Sequence, residues 1–294
     1  MSPEWLQNLE SSGEFQPEHS LELLQRRDQF LAMLAVVASR LNAAADWEQA
    51  LRQVLPVLGQ TPDVDRIAIN EVFCEQEQWF FSQRWVWLRQ DNQVHPGAAE
   101  LQRVSYARFA PQWLDMLRQD QVIKGSLASF PEAERAFMQE TDSRSVLTVP
   151  IQADQQLWGS LALVNTQTER QWSEPEIAIF KTVALNLGSA LSRFQKVQLL
   201  HERSYQLEAR VKEIQCLYEI SRWADVPDLS LPQLYQKIVE LAPAAFQWPE
   251  QTGACLEVEG QRYRSAAYAQ TESCLASELR FEDRVLGRLQ VCLQ

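Results

Sequence analysis

Apolar residues recur every three or four positions along the first part of the chain, as on one face of an amphipathic helix. One such stretch begins at Leu23. A second follows Asp46, which is suited to cap a helix start and has Gln49 three residues later. Pro56 counts against this second helix continuing unbent, and Pro62 ends it. The pattern predicts two consecutive helices.

After Pro62, residues that face the same side recur every second position, as in a strand, instead of every three or four positions, as in a helix. Residues 66–73 alternate between two faces, and residues 78–88 form a second stretch that is dense in tryptophan and phenylalanine. Residues 145–164 are again rich in strand-forming residues, with a turn expected at 153–156. These stretches predict β-strands, and the last of them predicts a hairpin.

The segment between the early strands and the hairpin is less regular. Over residues 89–144 we expect one helix near 111–118 and another near 131–140. After the hairpin, Ser173 and Glu176 form a capping box, in which the serine accepts from the first amides and the glutamate reaches back. The order of elements predicts an α+β fold, with an antiparallel sheet and helices packed on one side.

The last helix of this module is expected to be very long. No proline or glycine interrupts residues 189–224, so a helix from Ser173 to Arg222 would run about 75 Å. Its apolar positions alternate four and three residues apart, and the phase slips near Val197. A break near His201 is the alternative. We expect a continuous helix whose apolar seam pairs two chains and carries the signal through Leu187, Leu191, Phe194, Leu200, Leu207, Val211 and Ile214.

The end of the chain repeats the pattern of its start. A shift of 183 positions aligns apolar helix positions, namely Leu34, Val37, Leu51, Leu55 and Leu58 with Leu217, Ile220, Leu234, Ile238 and Leu241. A shift of 128 positions aligns hairpin positions, namely Trp158, Gly159, Leu161 and Leu163 with Leu286, Gly287, Leu289 and Val291. We expect a complete first module and a reduced second one that stops where its closing helix should start. Its sheet would expose apolar surface, so either the chain is a fragment or a partner or the long helix covers that sheet.

Composition and charge narrow the class of protein. Hydrophobic residues make up 46% of the 294 residues, enough for packed cores, and the formal net charge is -12. This charge opposes binding to nucleic acid or to an anionic membrane. The longest apolar run, residues 30–38, is too short to span a bilayer, and the acidic N-terminus is unlike a signal peptide. Five scattered cysteines without a CxxC pair argue against a disulfide framework and favour a reducing cytoplasm.

Familiar catalytic signatures do not occur in the sequence. It has no GxGxxG, Walker or GxSxG motif. Its three histidines, His19, His95 and His201, are not at ligand spacing, so we expect no metal site. We interpret His201 as a solvated helix residue rather than a phosphoacceptor. We therefore expect no enzymatic activity in this chain, unless it is part of a longer histidine kinase.

Five short motifs of the first module are WLDMLRQDQVIKG (113–125), SFPEAER (129–135), RSVLTVPI (144–151), LWG (157–159) and RQWSEPEI (170–177). Together they resemble the GAF domains of bacterial sensor proteins, above all those of multidomain histidine kinases. The resemblance implies a GAF-like antiparallel sheet flanked by helices over residues 23–195. Residues 210–293 are similar to a reduced GAF-like segment of such kinases. We therefore expect a tail over 1–22, a connecting coiled-coil helix over 173–222 and a partial GAF-like domain over 223–294.

In GAF folds the ligand cavity lies between the sheet and the irregular middle. The resemblance implies an unknown small ligand there, apolar or planar, contacted by Trp79, Trp85, Trp113, Phe130, Arg144 and Trp158. The alternative is that these aromatic residues fill the core without a ligand. Asn165 precedes Thr166 where cyclic-nucleotide GAF domains have a lysine, and no Cys-His pair occurs. We therefore expect neither a cyclic nucleotide nor a covalent bilin.

The resemblance implies a cytoplasmic, non-catalytic input module of two-component signal transduction. In this hypothesis a ligand or a partner biases a homodimer through the long helix, and a downstream histidine kinase core or response regulator receives the signal. One alternative is a dimerisation scaffold with a filled core. Another is a cysteine redox enzyme at Cys74, although such chemistry needs several converging cysteines and the first module has one.

Overall fold

The computed structural model describes residues 17–246, 248–282 and 284–293. The chain divides into two compact units, Met1–Lys196 and Val197–Gln294. Most of the tail expected over 1–22 lies outside the described residues. Its last part does not, because the first helix among the described residues covers Pro17–Ala43. That helix includes polar residues that precede the apolar stripe beginning at Leu23.

The first unit opens with two helices, α1 (Pro17–Ala43) and α2 (Trp47–Leu58). Four strands follow, β1 (Arg66–Glu75), β2 (Gln78–Leu88), β3 (Gln93–Pro96) and β4 (Val104–Ser105). The irregular middle holds α3 (Tyr106–Phe109), α4 (Pro111–Arg118), β5 (Ile123–Ser126) and α5 (Glu132–Glu140). The hairpin strands β6 (Ser145–Ala153) and β7 (Gln156–Asn165) lead to the long helix α6 (Glu174–Ala224).

The strands of the first unit form one antiparallel sheet in the order β3-β2-β1-β7-β6-β5, with β4 paired to β2. Asp154 and Gln155, both at positive φ, make the two-residue turn of the β6–β7 hairpin, inside the expected 153–156. α2 continues past Pro56 to Leu58. The α+β prediction and the GAF-like antiparallel sheet are confirmed.

Helices cover both faces of this sheet, so the expectation of helices on one side is wrong. On one face Ile67 and Ile69 pack with α1, α2 and the start of α6. On the other face Val72 and Phe81 pack with α3, α4 and α5. The physical reason is that β1 and β2 carry apolar side chains on both of their alternating faces, and each face needs cover.

α6 is continuous for 51 residues, and the alternative of a break near His201 is wrong. Its start differs in detail from the expected cap. The Ser173 hydroxyl donates to a Glu176 carboxylate oxygen at 2.8 Å, instead of accepting from helix amides, and the Ser173 backbone N–H donates to the same oxygen at 3.0 Å. Arg170 adds an ion pair to Glu176 in which both side chains are only 13% and 14% exposed. The carboxylate thus anchors the first turn of α6.

Replacement of Glu176 by glutamine is expected to lower the free energy of unfolding by about 1–2 kcal/mol at neutral pH. Burial raises the pKa of Glu176, but hydrogen bonds from Ser173 and the charge of Arg170 outweigh it, so the net pKa is lowered. A lowered folded pKa stabilises the fold above the unfolded pKa, and this stability is lost as the pH falls through the folded pKa. The deficit of the variant should therefore shrink in acid. Urea unfolding across acidic and neutral pH measures it.

The matched control for that experiment is Glu174→Gln in the same helix turn. The Glu174 side chain is 81% exposed in its ion pair with Lys124, so its loss should change stability little. Equal losses in the two variants, or a Glu176→Gln deficit that does not vary with pH, would contradict the assignment.

The second unit contains the C-terminal part of α6, then α7 (Leu231–Leu241), β8 (Thr252–Val258), β9 (Gln261–Arg264), β10 (Cys274–Phe281) and β11 (Arg284–Leu293). The strands form an antiparallel sheet in the order β10-β11-β8-β9. Val239 of α7 packs on Ala254, Leu256 and Val291 of this sheet. The Ser230 backbone N–H donates to Gln233 at 3.1 Å, as the capping box at the start of α7 requires.

The two sheets share one strand order, because β9-β8-β11-β10 follows the same path as β2-β1-β7-β6. Gly159 of β7 lies opposite Glu71, and Gly287 of β11 lies opposite Val258. At each glycine a Cβ atom would collide with a backbone carbonyl oxygen of the neighbouring strand. The two aligned glycines thus occupy equivalent positions, which supports the internal repeat.

The β10–β11 hairpin has much less cover than its counterpart in the first unit. Leu275 is 69% exposed, Phe281 66% and Val285 50%.

Cys274 and Cys292 face each other across the two strands and form a disulfide, with their Cα atoms 4.1 Å apart. The scattered spacing of the cysteines did not indicate this pair. Strand pairing brings together residues that are 18 positions apart in the chain.

Among the described residues, no helix combines the length and the apolar character needed to cross a bilayer.

Candidate functional site

A cavity of about 70 Å³ lies in the first unit between the sheet and the helices α3, α4 and α5. Alternation along β1 points Arg66, Ala68 and Asn70 to the same face, and all three line the cavity. Ala68 pairs with Ala162 of β7. These two small side chains leave free space above the middle of the sheet.

Aromatic and apolar side chains of the irregular middle lie over this floor: Tyr106, Phe109, Trp113, Leu117, Phe137 and Met138. Phe109 stacks on Phe137 with ring centroids 4.3 Å apart, and the Trp113 ring meets Phe109 edge-on at 5.6 Å. Burial raises the pKa of the Tyr106 hydroxyl well above its usual range, so this hydroxyl stays protonated. The roof of the cavity is therefore uncharged and tightly packed.

Arg66 supplies a positive charge at one end of the cavity. Its Nη2 group donates to the Thr141 carbonyl oxygen at 2.7 Å and to the Ser143 hydroxyl oxygen at 2.8 Å. Its Nε and Nη1 groups have no hydrogen-bond partner among the residues that the structure describes. Burial lowers the pKa of the guanidinium, and the charge of Asp142 partly offsets this. Arginine nevertheless remains a cation at neutral pH.

Polar side chains also line the cavity away from this arginine, and most of them are buried. Ser160 is 2% exposed, Thr148 6% and Gln83 7%. The Asn70 amide donates weakly to the Ser160 hydroxyl oxygen at 3.4 Å. Its own Oδ1 atom is buried without a hydrogen-bond partner. A buried acceptor without a donor is costly, so this atom is a natural anchor for a ligand or a water molecule.

The structure separates the six predicted ligand residues into three groups. Trp113 lines the cavity, and Trp79 and Phe130 pack against the same core. Trp85 and Trp158 lie on the opposite face of the sheet. Both meet the Trp47 ring edge-on, with ring centroids 6.3 Å apart for Trp85 and 5.9 Å apart for Trp158.

Arg144 is exposed, and the cavity lining contains Arg66 instead. The sequence reasoning missed Arg66. The signal that could have found it is its alternation with Ala68 and Asn70, a charged residue on the face that the irregular middle covers.

The predicted signalling helix also divides into two parts. Leu187 and Leu191 are buried in the core of the first unit, and Phe194 packs partly against that core. The seam can therefore not pair two chains at these positions. The later members are exposed: Leu200 by 64%, Leu207 by 63%, Val211 by 51% and Ile214 by 65%. We call these four residues with Val197 and Tyr218 the exposed stripe.

The opposite face of the same helix segment packs within the second unit. The buried Cys216 lies with its Sγ atom 3.9 Å from the Leu241 carbonyl oxygen of α7. Lys237 of α7 lies over the Trp223 ring at 4.8 Å. Because 3.6 residues make one turn, Leu207 and Ile214 lie about half a turn away from Cys216. The exposed stripe is thus free of α7.

Among the described residues, no three His, Cys, Asp or Glu side chains come together in a way that could hold a metal ion. Cys74, the residue invoked in the redox alternative, is an exposed free thiol at the end of β1. His201 is exposed on α6.

The GAF domain family matches residues 46–191. The methanogenesis regulatory histidine kinase FilI of Methanothrix harundinacea is 27% identical over 198 residues, which are 67% of this chain and 22% of that protein. The chain thus spans about a fifth of the length of this curated relative.

Among solved structures, the blue-light absorbing form of the PixJ GAF domain of Thermosynechococcus elongatus is 19% identical, with a TM-score of 0.41 over 63% of this chain and 95% of that one. The chromophore-binding domain of the bacteriophytochrome RpBphP3 of R. palustris is 14% identical, with a TM-score of 0.49 over 58% and 63%. These likenesses concern the fold alone.

The family match spans the first unit from the cap of α2 to the buried part of α6, and it includes every strand of the larger sheet. Residues 46–191 therefore form a GAF domain, a module that is commonly sensory or regulatory.

Proposed function

We propose that this chain is a non-catalytic input region in which a small molecule binds the cavity of the GAF domain and biases a dimer of long helices. One observation carries the proposal. α6 contributes Phe180 and Leu187 to the core of the first unit, then continues without a break to Ala224 and presents the exposed stripe. The GAF domain extends over 23–195 in this proposal, and a partial GAF-like domain over 223–294 follows the helix.

The sheet itself connects the cavity to the helix. Ala68 and Ala162 lie under the cavity, whereas their strand neighbours Ile69 and Leu161 belong to the core on the other face, which includes Phe180 of α6. A ligand that pushes on the floor of the cavity therefore acts on strands that contact the helix directly. Such a ligand would shift the population between two arrangements of the helix pair, with a coupling of about 1–3 kcal/mol.

The partner on the exposed stripe is a second copy of this chain. Val197, Leu200, Leu207, Val211 and Ile214 follow the three-four spacing of a coiled-coil seam, and exposed apolar residues at this spacing favour a helix pair. The receiver is a histidine kinase core or a response regulator of a two-component system. The similarity to FilI, a regulatory histidine kinase, supports this assignment.

The alternative is a dimerisation scaffold whose GAF core is simply filled. Its support is the dense aromatic packing around Phe109. Native mass spectrometry of freshly purified full-length protein distinguishes the two. We expect a reproducible non-covalent adduct that disappears when the same sample is denatured. A bare chain mass in every preparation would favour the scaffold.

A further inference from the structure

The cavity lining carries a single kind of charge. Of the described residues that line it, Arg66 is the charged one, and it still has unpaired N–H donors. A cation in a partly dry site is stabilised by an anion that accepts hydrogen bonds from it. A neutral ligand would leave this charge with only the partial compensation that Asp142 gives, whereas a monoanion would complement it directly.

The size of the cavity sets a second limit. About 70 Å³ is a small volume for a ligand site. Sites for larger cofactors and drug-sized molecules are usually about 300–1,000 Å³. The cavity therefore suits a ligand much smaller than a tetrapyrrole or a nucleotide.

The surfaces between the polar ends set a third limit. The floor is made by Ala68 and Ala162, and the roof is the aromatic layer around Phe109 and Trp113. A short carbon chain fits between them, because apolar contacts on both sides exclude water. A compact inorganic anion would leave these apolar surfaces unused.

We propose that the cavity binds a short-chain monocarboxylate, with its carboxylate on the free N–H groups of Arg66 and its carbon chain between Ala68, Ala162 and the aromatic roof. The assignment deepens the proposed function, because it names the ligand class of the same cavity. The unpaired Oδ1 atom of Asn70 belongs to the same lining, four residues along β1 from Arg66.

The test uses the full-length chain and three probes of nearly equal size at matched ionic strength: propionate, 3-hydroxypropionate and the neutral amide propionamide. Isothermal titration calorimetry should show saturable one-site binding of the two carboxylates and at least tenfold weaker binding of propionamide. The melting temperature should rise with the concentration of each carboxylate that binds.

Two variants locate the binding site. Arg66→Gln should weaken carboxylate binding at least tenfold and reduce the preference over propionamide. Ala162→Leu keeps the arginine but fills the cavity, so it should abolish binding of all three probes. Ala133→Leu is the matched control, since Ala133 is exposed on α5 and the same change there should leave binding intact. If the Arg66 variant does not fold, Ala162→Leu and the amide still decide the question.

The carboxylate assignment is overturned if propionamide binds as tightly as propionate, if Ala162→Leu binds like the unmodified protein, or if neither carboxylate binds. A reproducible adduct of another kind in native mass spectra would then leave the sensory proposal standing. If neither an adduct nor calorimetric binding is seen, the carboxylate assignment and the sensory proposal are both refuted.

Discussion

Replacement of Leu207 and Ile214 by glutamate is expected to convert a dimer of this chain into monomers. Both side chains are more than 60% exposed on α6, and they lie seven residues apart on the exposed stripe. In a helix pair they would be buried against their copies, where unpaired carboxylates are strongly destabilising. Size-exclusion chromatography with light scattering should give half the molar mass, while the far-ultraviolet circular dichroism stays that of the unmodified chain.

A matched control separates this effect from a general effect of charge. Gln198 and Gln206 are exposed on the same helix and lie outside the three-four spacing of the stripe. The double variant Gln198→Glu, Gln206→Glu adds the same two charges and should keep the mass of the dimer. An unchanged mass in the Leu207→Glu, Ile214→Glu variant, or an equal loss in both variants, would sink the helix-pair proposal.

Phe180→Ala is expected to lower the free energy of unfolding of the first unit by about 3–5 kcal/mol. The ring is fully buried, and the Trp172 indole meets it edge-on at 6.0 Å. Truncation removes a large apolar surface and leaves a cavity between α6 and the sheet. Urea unfolding followed by tryptophan fluorescence measures the loss, because the first unit carries most of the tryptophans.

Leu185→Ala is the comparison for this experiment. Leu185 lies on the same helix but is 63% exposed, so its truncation should change stability by less than about 1 kcal/mol. A small loss in Phe180→Ala would mean that α6 is not an integral part of the core of the first unit. The proposed route from cavity to helix would then lose its physical basis.

Local patterns were sufficient to predict the longer helices and strands of the first unit. The strand at 78–88 and the helix at 111–118 have the bounds expected from the sequence, since each depends on residues that are neighbours in the chain. The helices near 111–118 and 131–140 were predicted, but the inference that all helices pack on one side of the sheet was wrong. The need for helices on both faces shows only when both faces of β1 are recognised as apolar. Which distant segment covers each face depends on tertiary packing.

The candidate site was harder to predict, for a related reason. Trp85 and Trp113 look alike in a sequence, but the pleat of the sheet sends them to opposite sides. Arg144 was chosen because it belongs to the irregular middle, yet it is exposed, and the partly buried Arg66 lines the cavity from a strand 78 residues earlier in the chain. Tertiary packing decides which arginine faces the cavity. In the same way, the Cys274–Cys292 pair depends on strand pairing rather than on spacing.

The two glycines at equivalent sites of the two sheets are subject to the same steric constraint. Substitution of Gly159 or Gly287 by any other residue would push a neighbouring strand aside. After each glycine, apolar residues follow at the second and fourth positions. This short signature offers a way to detect further duplicated copies in longer relatives whose overall similarity has faded.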